Sequence, residues 1–125
     1  MTRPRPSMAV HVYHYPNCST CRNALKWLSA HQVAFESIDL VATPPSAAKL
    51  RDLWQRSGLP LARFFNTSGE SYRNGGFKDR LKSMSKAEAL AALAKDGKLV
   101  KRPIVDTGKA VLVGFDERAY ADVFG

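Results

Sequence analysis

A strand-like segment that runs directly into a turn with two cysteines is the feature that most constrains the fold of this chain. Residues 9–13 show the β-branched and aromatic alternation of a buried strand, and residues 16–17 break it. Apolar residues then recur at helical spacing from Cys21 to about His31, and a second strand is predicted within 33–40. Strand, helix and strand in this order form a crossover unit, which favours parallel pairing with a right-handed connection.

The chain beyond this unit shows several further helix signals. Ser46 suits an N-cap and Gly58 suits the position that ends the same helix. Ser85 and Glu88 fit a capping box, in which each residue satisfies a backbone donor at the start of a helix. The predicted helical segments are 46–58, 61–65, 72–84, 85–97 and 117–124, and the segment 72–84 is either one helix or two short helices interrupted at residues 75–76.

A β-hairpin is predicted near the end of the sequence. Strands at 104–105 and 110–113 are joined by turn-forming residues at 106–109. We therefore expect one α/β domain over residues 9–125, preceded by a disordered basic tail at 1–8. Its mixed four-stranded sheet combines the βαβ unit with the C-terminal hairpin, and it carries flanking helices and a helical insertion.

The two cysteines lie at the junction between the first strand and the first helix. Cys18 precedes the helix, where unpaired backbone N–H groups and the helix dipole favour a thiolate and lower the thiol pKa. Arg22 adds a positive charge nearby. Cys21 falls in the first turn, from which it can attack an adduct on Cys18. The pattern predicts a redox pair with Cys18 as the nucleophile.

Two other interpretations of the cysteine pair remain open. A zinc site needs four ligands at suitable spacing, and the sequence offers no second Cys-x-x-Cys pair. A buried structural pair is the other alternative, because free cysteine is often buried in protein cores. The histidines available to a metal are His11, His14 and His31. We expect neither a metal nor a bound cofactor.

Arg102 and Pro103 form a second notable pair, at the entrance to the strand predicted at 104–105. In thioredoxin-like folds a cis proline packs beside the reactive cysteine, and X–Pro bonds are the peptide bonds that adopt cis at low cost. Arg102 would then point toward the cysteine turn. The alternative is a surface arginine beside a trans turn proline, and the pair alone favours this simpler interpretation.

The chain is strongly basic, with a net charge of +8 at pH 7. Residues 73–102 hold nine Lys or Arg and three acids, so this stretch alone contributes +6. Such charge suits anionic partners or a solvated basic surface. No aromatic ladder or long apolar run accompanies it, so we expect neither sequence-specific nucleic-acid binding nor a membrane span. Two cysteines without an export signal predict a reducing, cytoplasmic location.

Several segments together resemble the arsenate reductase (ArsC) family. They are YPNCSTCRNALKWL, PPS, GLPLARFFNTSGESYR, LVKRPIV and LVGF, and the resemblance runs from about Val10 to Phe124. This family is thioredoxin-like and glutaredoxin-related, and it includes the Spx-type regulators of RNA polymerase. The resemblance implies a thioredoxin-like fold for this chain.

The resemblance also implies roles for residues of the site. Cys18 matches the family's nucleophile, which attacks arsenate in the members coupled to glutathione and glutaredoxin. Arg22 and Arg102 match arginines that hold the oxyanion, as planar guanidinium groups suit a tetrahedral anion. The remaining residues expected to contact substrate are Asn17, Ser19, Thr20, Asn66 and Pro103.

Three positions depart from the arsenate reductase pattern. Asn66 and Gly114 stand where those enzymes place further arginines, so we expect weakened oxyanion binding and poor arsenate reduction. Cys21 replaces a frequent serine and matches the Cys-x-x-Cys of Spx-type proteins. The expected function is a monomeric thiol-dependent oxidoreductase acting on a disulfide, a glutathione adduct or an oxyanion, with thioredoxin or glutathione and glutaredoxin as electron donor. The alternative is an Spx-type redox-switched regulator that binds the RNA polymerase α subunit.

Overall fold

The computed structural model describes residues 10–124, and the tail predicted at 1–8 lies outside them. Its sheet contains β1 (Val10–His14), β2 (Phe35–Asp39), β3 (Ile104–Asp106) and β4 (Val111–Val113). The strand order is β2-β1-β3-β4, with β1 parallel to β2 and the other two pairings antiparallel. The mixed four-stranded sheet expected from the crossover unit and the hairpin is therefore confirmed.

Helices cover the sheet and fill the long connection between β2 and β3. They are α1 (Ser19–Ala30), α2 (Ala47–Ser57), α3 (Glu70–Asn74), α4 (Phe77–Arg80), α5 (Lys86–Lys95) and α6 (Glu117–Phe124), with 3₁₀ turns at Leu61–Phe64 and Gly97–Leu99. Ser46 caps α2 by accepting from the Lys49 N–H, and Gly58 ends it in the left-handed conformation. The capping box of Ser85 and Glu88 opens α5. These local predictions are confirmed.

Apolar side chains alternate across the sheet and form two cores. Val12 of β1 packs with Leu28 of α1 and Tyr120 of α6 on one face. Tyr13 packs on the opposite face, in the cluster that includes Leu53 of α2. Fully burying a side chain such as Leu28 or Leu53 contributes about 2 kcal/mol, so the two cores fix the helices on both faces of the sheet.

The structure corrects two predicted helix ends. The first helix begins at Ser19 rather than Cys21, because Cys18 already serves as its N-cap. The helix predicted to end at Gly97 ends at Lys95, and Gly97 starts the following 3₁₀ turn. Gly97 is buried against the Leu40 backbone, where a Cβ would overlap the Leu40 carbonyl oxygen.

A buried ion pair joins α2 to the sheet. Asp106 is only 5% exposed, and its two carboxylate oxygens accept from Arg56 Nη1 at 2.7 Å and Nη2 at 3.0 Å. Arg56 also reaches the exposed Asp52 one turn earlier on α2.

Within residues 10–124 no helix is both long and apolar enough to cross a membrane.

Candidate active site

The register of the two central strands brings the cysteine turn beside the start of β3. Tyr13 near the end of β1 faces Ile104 at the beginning of the antiparallel β3. The residues that follow β1 and those that precede β3 therefore lie at the same edge of the sheet. Cys18 and Arg102 meet there although 84 positions separate them in the sequence.

Cys18 is held at the N-terminus of α1. Its N–H donates to the Tyr15 carbonyl at 3.0 Å, and its Sγ accepts from the Cys21 N–H at 3.3 Å. Partial burial by itself raises the pKa of Cys18, but hydrogen bonds from Cys21 and the Arg102 guanidinium outweigh it. The net result is a Cys18 pKa below the ordinary thiol value, which favours the thiolate.

Cys21 lies in the opposite environment, one helical turn further along. It is completely buried, and burial together with the neighbouring Cys18 raises the pKa of Cys21 to about 12. The two cysteines are both free thiols. A more exposed thiol with a lowered pKa therefore lies in front of a buried thiol with a raised pKa. The sequence indicated the properties of Cys18 but not the burial of Cys21.

Arg102 reaches the cysteine turn from the segment that precedes β3. Its Nη1 donates to the Lys98 carbonyl at 3.0 Å, and its guanidinium lies 5.2 Å from the centre of the Tyr15 ring. The Arg102–Pro103 peptide bond is cis, and Pro103 is buried. Of the two interpretations left open by the sequence, the arginine beside the cysteine turn is the one found.

A cavity of about 520 Å³ opens in front of the Cys18 thiol. Its walls come from the cysteine turn, the segment after α2, the residues just before β3 and the residues at and after the end of β4. Its lining residues are Cys18, Ser19, Thr20, Arg63, Asn66, Ser68, Lys101, Arg102, Val113, Gly114, Phe115 and Asp116. Ser19, Thr20, Asn66 and Arg102 were all expected to contact substrate.

Three other predicted residues lie elsewhere. Arg22 is exposed, and its Nη1 donates to the Pro16 carbonyl at 2.9 Å. Asn17 is exposed, and its amide lies 3.5 Å from the Tyr15 hydroxyl. Neither lines the cavity, and buried Pro103 lies behind its wall. Arg22 is not among the groups that lower the pKa of Cys18, and its assistance to that thiol stays a prediction.

Two cations in the cavity were missed by the sequence interpretation. Arg63 lies on the 3₁₀ turn Leu61–Phe64, three residues before Asn66, and Lys101 directly precedes Arg102. Arg63 and Lys101 therefore place two cations in the cavity wall that also contains Asn66 and Gly114. The signal for Lys101 was its adjacency to Arg102, whereas Arg63 had no signal beyond its place in the GLPLARFFNTSGESYR segment.

The wall opposite the cysteine turn is fixed by backbone hydrogen bonds. Gly114 has φ of 84°, a left-handed value that favours glycine, and its N–H donates to the Pro103 carbonyl at 2.8 Å. The buried Tyr120 hydroxyl donates to the Gly114 carbonyl at 2.8 Å. The cavity therefore has a rigid wall that carries no side chain at this position.

A metal centre has little to build on in this part of the molecule. Among residues 10–124 no three His, Cys, Asp or Glu side chains cluster closely enough to hold a metal ion. What the arrangement offers is an acidic thiol, a second thiol behind it and several cations. That combination suits nucleophilic attack on an anionic or sulfur-containing electrophile.

Comparison with known proteins finds one family and a consistent set of relatives. The model of the ArsC family matches residues 13–123. The uncharacterized protein YusI of Bacillus subtilis is 44% identical over 115 residues, covering 92% of this chain and 98% of that protein. An arsenate reductase of Neisseria meningitidis is 30% identical, covering 82% of this chain and 88% of that enzyme.

Regulators and a solved structure also appear among the relatives. The regulatory protein MgsR of Bacillus subtilis is 27% identical, covering 83% of this chain and 81% of that protein. A crystal structure of an ArsC family related protein from Bacteroides fragilis superposes with a TM-score of 0.90 at 38% identity. The superposition covers 94% of this chain and 98% of the Bacteroides fragilis chain, so nearly the whole described fold is shared.

Proposed function

The chain belongs to the ArsC family, and we propose that it is a thiol–disulfide oxidoreductase with Cys18 as nucleophile and Cys21 as resolving thiol. The observation that carries this proposal is the contrast between the two thiols. Cys18 faces the cavity, and the pKa of its thiol is lowered. Cys21 is buried behind Cys18, and the pKa of its thiol is raised to about 12. With this contrast, Cys18 is suited to attack the substrate, and Cys21 is suited to attack the adduct that forms on Cys18.

The reaction begins with attack of the Cys18 thiolate on one sulfur of a disulfide. A new S–S bond forms to Cys18, and the other substrate sulfur leaves with the bonding electrons as a thiolate. The negative charge on Cys18 is now gone, so one of the influences that raised the pKa of Cys21 is removed. The Cys21 thiol gives its proton to the thiolate that left first, and the Cys21 thiolate then attacks the Cys18 Sγ. The second substrate sulfur leaves as a thiolate, and the protein holds a disulfide.

This sequence oxidises the two protein thiols by two electrons and reduces one substrate disulfide to two thiols. A second reductant must then regenerate the dithiol, and we propose thioredoxin or glutathione with glutaredoxin for this role. Arg102 would stabilise the Cys18 thiolate before attack, while Ser19, Thr20 and Asn66 contact the bound substrate. An oxyanion such as arsenate would enter the same cavity and react at the same sulfur.

Thiol alkylation against pH tests the central assignment. Iodoacetamide should modify Cys18 at a pH below that needed for an ordinary thiol, for which the pKa is about 8.5. Arg102→Gln should move this reactivity to higher pH because it removes a cation beside the thiolate. Arg22→Gln is a matched control, since Arg22 points to Pro16 and should leave the profile unchanged.

Mass spectrometry after treatment with oxidised glutathione or arsenate tests the resolving step. The wild-type chain should end with a Cys18–Cys21 disulfide, whereas Cys21→Ser should retain an adduct on Cys18. A Cys18 that alkylates like an ordinary thiol, in a protein with no glutathione- or thioredoxin-coupled turnover, would contradict the proposal. Coupled turnover with arsenate but with no disulfide would identify the oxyanion as the substrate.

A second candidate function comes from the regulators among the relatives. MgsR and several global transcriptional regulators named Spx align over most of this chain, at 26–27% identity. In this alternative the cysteine pair is a redox switch, and the partner is the α subunit of RNA polymerase. Pull-down with the C-terminal domain of the RNA polymerase α subunit, using this chain in its reduced and its oxidised form, separates the two functions. Binding in one redox state supports the regulator, and no binding in either state excludes it.

A further inference from the structure

Two cations of the cavity have no partner within the described fold. Arg63 is exposed and Lys101 is half-buried, and both line the cavity with Cys18. Across residues 10–124 neither side chain takes part in a hydrogen bond or an ion pair. Arg102 differs from them, because its guanidinium is already engaged by the Lys98 carbonyl and the Tyr15 ring.

The path of the Lys101 side chain explains how this charge comes to face the cavity. Its Cε lies 3.8 Å from the point that a Cβ on Gly114 would occupy, so the side chain runs along the bare wall at Gly114. The Lys101 N–H donates to the Phe64 carbonyl at 2.8 Å, which ties the segment before β3 to the 3₁₀ turn that carries Arg63. This bond and a second one, from the Asn66 N–H to the Leu99 carbonyl at 2.7 Å, couple the two segments that present the free cations.

The charge balance of the cavity is positive. Arg63, Lys101 and Arg102 contribute three positive charges, and Asp116 contributes one negative charge. Asp116 already accepts from the Arg118 N–H at 3.2 Å at the start of α6. Among residues 10–124 no group pairs with Arg63 or Lys101, and the cavity keeps an excess of positive charge in front of a thiol that must itself react as an anion.

We propose that Arg63 and Lys101 select substrates in which a negatively charged group, such as a carboxylate, lies close to the reacting sulfur. This inference rests on the proposed disulfide chemistry and names its substrate class: anionic disulfides. The two side chains attract the substrate and hold its carboxylates while Cys18 attacks, which lowers the cost of bringing a thiolate toward an anionic molecule. They are specificity-determining residues, and Cys18 supplies the chemistry.

Three small disulfides of different charge provide the test. They are 3,3′-dithiodipropionate as the dianion, 2-hydroxyethyl disulfide as the neutral molecule and cystamine as the dication. In a Cys21→Ser background each leaves a mixed disulfide on Cys18, which mass spectrometry quantifies after acid quenching. Each rate constant is divided by that of 2-mercaptoethanol with the same disulfide, which corrects for the intrinsic reactivity of the probe.

The expected order of normalised rates is dianion, neutral, dication. Each of Arg63→Gln and Lys101→Gln should lower the preference for the dianion about fivefold, the effect of one charge about 4 Å away in water. Arg63→Glu should raise the rate with cystamine. Added salt should reduce the preference in the parent protein, because exposed charges are screened.

Matched controls remove a cation elsewhere on the surface. Lys109→Gln changes the turn at the far end of the hairpin, and Arg51→Gln changes the exposed face of α2. Neither should alter the order of the probes. Equal normalised rates for the three disulfides, or equal losses in the control variants, would overturn the selection while leaving the thiol chemistry intact. A Cys18 that reacts with none of the three contradicts the proposed function and this selection together.

Discussion

Replacing Asp106 with asparagine is expected to cost stability without touching the thiol chemistry. The carboxylate is 5% exposed and accepts two hydrogen bonds from Arg56, at 2.7 and 3.0 Å, and one from the Gly108 N–H at 2.9 Å. Asparagine keeps the shape but presents an amide group to the guanidinium. Breaking a buried pair costs about 3–5 kcal/mol, and because Arg56 keeps Asp52 we expect the lower end, about 3 kcal/mol.

The pH dependence of this loss has a defined sign. Burial raises the pKa of Asp106, but the hydrogen bonds from Arg56 and Gly108 outweigh it and hold this pKa below its ordinary value. The stabilisation is therefore complete above the unfolded pKa of about 3.9, and it is lost as pH falls through the lower folded value. Asp106→Asn has no such titration. The difference between the two proteins should be largest near pH 7 and shrink below about pH 4.

Urea denaturation at a series of pH values measures this difference directly. Asp52→Asn is the matched control, because Asp52 binds the same Arg56 from an exposed position and should cost less than about 1 kcal/mol. Alkylation of Cys18 should be unchanged in both variants, since Asp106 lies at the opposite end of β3 from Pro103. A loss below about 1 kcal/mol for Asp106→Asn, or equal losses for the two variants, would refute the argument.

Three further substitutions have defined outcomes. Gly97→Ala places a Cβ against the Leu40 backbone and should cost about 1–3 kcal/mol in urea denaturation; a neutral change would contradict the close packing. Tyr120→Phe removes the donor to the Gly114 carbonyl and should cost about 1–2 kcal/mol, measured by thermal unfolding, with wild-type stability as the contrary result. Ser85→Ala removes the α5 cap and should cost about 1 kcal/mol, with faster amide exchange confined to the first turn of α5.

Local features of the fold could be predicted from the sequence because neighbouring residues determine them. The caps at Ser46 and Ser85 depend on hydrogen bonds that span three residues. The placement of Cys18 at a helix start follows from a strand and a helix that adjoin in the chain. The hairpin turn likewise closes through nearby groups, with Thr107 Oγ1 accepting from the Ala110 N–H at 2.8 Å.

The remaining features depend on contacts between distant segments, which the sequence pattern does not encode. Arg63 enters the cavity because its segment pairs with the chain before β3, through the bridge between Phe65 and Val100. The ion pair between Arg56 and Asp106 spans 50 positions. The hydrogen bond from Arg22 to the Pro16 carbonyl depends on how the cysteine turn folds back on α1, which the helical pattern does not encode.

The attachment of the Arg63 segment to the sheet has an evolutionary consequence. The thiol pair belongs to β1 and α1, whereas Arg63 and Asn66 belong to the connection between α2 and α3. That connection meets the chain before β3 through two backbone hydrogen bonds, which any sequence can make unless proline intervenes. Side chains there can therefore diverge without disturbing the nucleophile, so descendants of one ancestral thiol protein can acquire new substrates by changes confined to this connection.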